Sequence, residues 1–174
     1  MALGTPTLLV GSGAAAATWT TAGATPAAAC RLQAHVSYAN KNSDPTLATF
    51  SDSTGLTWTQ CVDFTYSTGS NPRLRQTVWY ADVTSPASMT FTAASTGANA
   101  VHRQVMQQTG TFSSDYSNQA NGQNTAGAPS LTLPSTPDAT STVYGFAFAA
   151  GGNSFTLPAS QTNLQNSTLS TARR

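Results

Sequence analysis

The chain has 174 residues and only 7% Asp, Glu, Lys and Arg, against the roughly 25% usual in soluble proteins, and its formal net charge is +1. One domain accounts for this length, and six Asp, no Glu, one Lys and six Arg are too few for the solvated surface of an ordinary enzyme. Nucleic-acid binding by bulk electrostatics is excluded as well, because counterion release needs clustered cations and the sequence has no basic stripe.

Hydroxyl and amide groups replace charge: 29 Thr, 20 Ser, ten Asn and ten Gln. Strong helix formers other than Ala are scarce, whereas Thr, Val and aromatics favour strands, so the expected fold is all-β, an antiparallel two-sheet sandwich. A first strand is expected at 7–10. The Ala/Thr-rich segment 13–29 follows with no strand signal, and a second strand at 31–38 puts Leu32, Ala34 and Val36 on one face. Runs at 46–51 and 56–64 flank Asp52-Ser53-Thr54-Gly55, a tight loop in which Asp can bond the following backbone and Gly can take positive φ. Together they predict a hairpin. At 73–83, Leu74, Gln76, Val78 and Tyr80 take the core phase, and Trp79 alternates with them, outside the core or at an interface. Met89, Phe91 and Ala93 alternate with Thr90 and Thr92, and a further strand spans 100–107. From 109 to 128 the chain is polar and without period, which reads as a long exposed loop. Strand patterns resume at 130–133, at 140–149 and briefly at 155–158, and an extended polar tail occupies 159–174. The whole reads as one domain over 1–174.

The start of the chain has no basic, apolar leader, so synthesis and use in the cytosol are expected and no membrane partner is implied. Cys30 and Cys61 are too few for a disulfide framework or a metal site and are expected as reduced, packed thiols. Chemistry-bearing constellations are thin. His35 and His102 lack metal-ligand spacing, Asp52-Ser53-Thr54-Gly55 fails the aspartic-protease pattern by one residue, and six scattered Asp do not specify a glycosidase pair. No catalytic residue, metal ligand or cofactor is expected.

Trp19, Trp58, Trp79 and several Tyr could stack sugars, as in a carbohydrate-binding module, but core and interface anchoring is the weightier alternative. Trp19, inside the Ala/Thr-rich segment, is the foremost candidate for contact with a partner, and Trp79 is the second. Arg31, Arg73, Arg75 and Arg103 lie in strands and read either as a solvated face or as partners for carboxylates of another subunit. Arg73 and Arg75, with Arg173 and Arg174 of the tail, complete the candidate contacts.

Thr5-Pro6-Thr7-Leu8-Leu9-Val10-Gly11, then Ser51-Asp52-Ser53-Thr54-Gly55-Leu56-Thr57-Trp58-Thr59, then Thr77-Val78-Trp79-Tyr80-Ala81-Asp82-Val83-Thr84, in that order, carry a family likeness. They resemble a recurrent β-rich domain of tailed-bacteriophage virion proteins, and Thr136-Pro137-Asp138-Ala139-Thr140 fits too. The resemblance covers roughly 5–157. It implies a two-sheet jelly-roll sandwich of the kind found in head-decoration and in minor tail or receptor-binding proteins, and it transfers no functional residue. Such domains usually continue into further closing strands after the region matching Phe155-Thr156-Leu157-Pro158. The shorter end here leads us to expect an open sheet edge covered by a neighbouring subunit or by the tail.

These features imply a structural virion protein, foremost a decoration or cement protein of the capsid shell, assembled in the host cytoplasm and working by adhesion. Its partners would be copies of itself and other capsid or tail subunits. A minor tail or tail-tip protein in contact with host glycans is the first alternative, and a carbohydrate-binding module the second.

Overall fold

A computed structural model of the chain describes residues 3–12, 18–27, 29–40, 46–66, 73–96, 100–112, 132–135 and 142–144. The expected loop beyond residue 112, most of the late strand patterns and the tail with Arg173 and Arg174 lie outside these residues. The described strands are β1 (Thr7–Ser12), β2 (Thr18–Thr20), β3 (Cys30–Asn40), β4 (Thr46–Asp52), β5 (Thr59–Tyr66), β6 (Arg73–Val83), β7 (Phe91–Thr96) and β8 (Ala100–Thr109).

They form two antiparallel sheets, one ordered β1-β8-β3-β6-β5 and the other β2-β7-β4, which is the all-β sandwich expected from composition. The pairs β1–β8, β2–β7 and β3–β6 nest inside one another, the arrangement that a jelly roll requires. A fourth nested pair, β4–β5, is not formed. β5 instead pairs with β6, giving five strands against three.

The expected hairpin at 46–64 is therefore corrected. The turn exists, with Gly55 at φ +80°, but it feeds a crossing from one sheet to the other. Leu56 and Trp58 in the connecting segment pack against the core, and the Leu56 N–H is taken by the Asp52 carboxylate instead of by a ladder partner. A two-residue loop would have kept both strands in one sheet, whereas six residues separate Asp52 from Thr59.

The inner layer joins Leu32, Ala34, Val36, Tyr38, Val83 and Val105 of the larger sheet to Trp19, Phe50, Met89, Phe91 and Ala93 on the other side. Phe50 is the hub, with ring centroids 4.7 Å from Trp58, 6.5 Å from Trp79 and 6.5 Å from Phe91. These separations suit aromatic contacts. Trp19 is only 8% exposed and Trp79 packs on the same cluster, so neither is an exposed aromatic.

The phase expected for β6 is also reversed. Ala34 faces Trp79, Val36 faces Thr77 and Leu32 faces Ala81, and directly opposed residues share a face, so Thr77, Trp79, Ala81 and Val83 point inward. Val78 and Tyr80 point outward. Val78 is nevertheless 3% exposed, because the outer face of this sheet is covered too. Alternation cannot reveal polarity in a strand buried on both sides.

Edges differ from interior pairs. β3 runs beside β6 over eleven residues and beside β8 over ten without a register shift. Among the described strands, each of the three longer ones at a sheet edge carries, by contrast, a bulge, at Leu9 in β1, Ala48 in β4 and Cys61 in β5. The remaining edge strand, β2, is three residues long. Bulged or very short edges are poor templates for a further strand.

Candidate functional site

The outer face of the five-stranded sheet gathers most of the described polar chemistry. Register places Asp82 of β6, Arg31 of β3 and Gln108 of β8 in one row across three strands. Arg31 donates from Nε to Asp82 Oδ1 at 2.7 Å and from Nη2 to Oδ2 at 2.8 Å, a two-pronged pair. Its guanidinium lies 4.6 Å from the centre of the Tyr80 ring and 4.7 Å from that of Phe112. Phe112 returns over the sheet just after Gly110, whose φ of +130° suits only glycine.

Gln108 has its amide engaged at both ends. Its Nε2 donates to the Gly4 carbonyl and to Thr142 Oγ1, each at 2.8 Å, and its Oε1 accepts from the Tyr144 hydroxyl at 2.7 Å. Gly4 also donates its N–H to the Thr109 carbonyl, and a Cβ at Gly4 would collide with Thr109 Oγ1. One side chain thus ties the start of the described chain to residues 142–144.

Farther along this face lie Gln33, His35, Ser37 and Gln104, all at most 7% exposed. Ser37 Oγ and His35 Nε2 are 3.2 Å apart. Gln33 Oε1 and Gln104 Oε1 are buried and find no hydrogen-bond partner among the described residues. Buried acceptors of this kind are costly.

The arginines divide differently from either expectation. Arg31 and Arg75 pair within the chain, Arg75 with Asp63 at 2.8 Å and 2.5 Å across β6 and β5. Hydrogen bonding to Asp63 holds the Arg75 guanidinium above its ordinary value. Arg103 faces inward, 1% exposed and 5.7 Å from the centre of the Trp19 ring, and burial pushes its pKa down to about 10. The side chain of Arg73 lies outside the described residues. Replacing Asp82 with asparagine strips the carboxylate from a largely buried guanidinium, and chemical denaturation is expected to show a loss of about 2 kcal/mol.

The outer face of the three-stranded sheet is of another kind. Thr18, Thr20, Thr49 and Ser51 are exposed and Thr92 and Ala94 half-buried, aligned by the β2–β7 and β4–β7 registers. None of the six carries charge, and the Thr20 and Thr92 hydroxyls sit 3.2 Å apart.

Of the six Asp, three are described, and each has a structural partner: Asp52 in its turn, Asp63 with Arg75 and Asp82 with Arg31. Among the described residues no three His, Cys, Asp or Glu side chains gather as a metal site, and no helix is long and apolar enough to cross a membrane. Both thiols are free, as expected from sequence. Cys30 is buried, which raises its pKa, and burial pushes that of Cys61 up to about 11. Neither environment makes a reactive thiolate.

The chain matches no family model, curated protein or solved structure. Function therefore rests on these surfaces themselves. The Asp82–Arg31–Gln108 row escaped sequence reasoning because register, which creates it, is a long-range property. The only local trace is an Arg or Asp placed inside an otherwise neutral strand.

Proposed function

We propose that the chain is a structural bacteriophage virion protein that decorates or cements a capsid shell, assembled in the host cytoplasm and acting through subunit contacts. The observation that carries this reading is the uncharged hydroxyl face of the three-stranded sheet. Arg31, Arg75, Asp63 and Asp82 are engaged in ion pairs on the other sheet, so this face meets a partner without charge. Such contact is little affected by salt, because there are few exposed charges to screen. The nested β1–β8, β2–β7 and β3–β6 pairs support the jelly-roll resemblance carried by the sequence motifs.

A minor tail or tail-tip position is the alternative within the same class. The carbohydrate-binding reading loses support, because Trp19, Trp58 and Trp79 pack on the core instead of forming an exposed row. The deciding experiment is quantitative mass spectrometry of purified particles. Hundreds of copies per particle are expected, a handful would move the protein to the tail, and none would overturn the virion reading.

A further inference from the structure

We draw no further inference here: the strongest candidate, the uncharged hydroxyl face of the three-stranded sheet at Thr18, Thr20, Thr49, Ser51 and Thr92, belongs to the surface already described, and nothing in the structure shows what covers it.

Discussion

Replacing Asp52 with alanine is expected to lower stability by about 3 kcal/mol and the melting temperature by roughly 6–12 °C. One carboxylate organises the whole crossing between sheets. Its Oδ1 accepts from the Thr54 N–H at 2.7 Å and the Thr54 hydroxyl at 2.5 Å, and its Oδ2 accepts from the Leu56 N–H at 3.0 Å and Trp58 Nε1 at 2.8 Å. The Trp58 bond matters most for packing, because that indole stands edge-on to Phe50 and to Phe91. Alanine frees the turn and the indole together. Asparagine keeps the size but has one acceptor oxygen in place of two, and is expected to cost about half as much.

The same group makes stability depend on pH. Burial raises the Asp52 carboxyl, and the hydrogen bonds from Thr54, Trp58 and Leu56 outweigh burial and hold it below its ordinary value. A carboxyl with a lower pKa in the folded state stabilises the fold above the unfolded value, near 4, and that contribution is lost as pH falls through the folded value. Melting temperatures measured from pH 7 down to pH 2 should therefore fall more steeply in the native chain than in Asp52→Asn. Parallel curves would remove Asp52 from the acid response.

Asp52 also marks how far sequence reaches into this fold. Asp, Thr and Gly at those spacings specify a turn through local hydrogen bonds, and the turn is there. Which sheet receives the next strand depends on Leu56 and Trp58 finding the core, a tertiary matter. The interior strand β3 was legible because Leu32, Ala34 and Val36 alternate with polar residues. Its neighbour β6 was located correctly, but its faces were reversed, since Val78 on the outer face is as buried as the inner residues. β2 escaped notice because three residues, Thr18–Thr20, carry too little alternation to stand out from an Ala/Thr-rich segment. The polar row at Arg31 escaped because Asp82 and Gln108 are 51 and 77 positions away along the chain.

The sharpest separation between the two views of this chain comes from Trp19. Read from sequence, it is the foremost partner contact, and replacing a surface contact leaves the isolated protein about as stable as before. In the structure it is inward on β2, opposite Ala93 and beneath the Arg103 guanidinium, within the cluster that joins the two sheets. Trp19→Ala is therefore expected to cost about 3–5 kcal/mol in urea unfolding of the isolated chain, through lost burial and the cavity left behind. Among the described residues β2 pairs with β7, and the Trp19 side chain is what carries it into the cluster between the sheets. The loss should be accompanied by faster hydrogen exchange at Thr18 and Thr20, whose backbone pairing depends on that anchor. Trp19→Phe keeps an apolar ring and should recover more than half of the stability. Native-like unfolding of Trp19→Ala would return this indole to the surface, and with it the partner-contact assignment that its burial replaces.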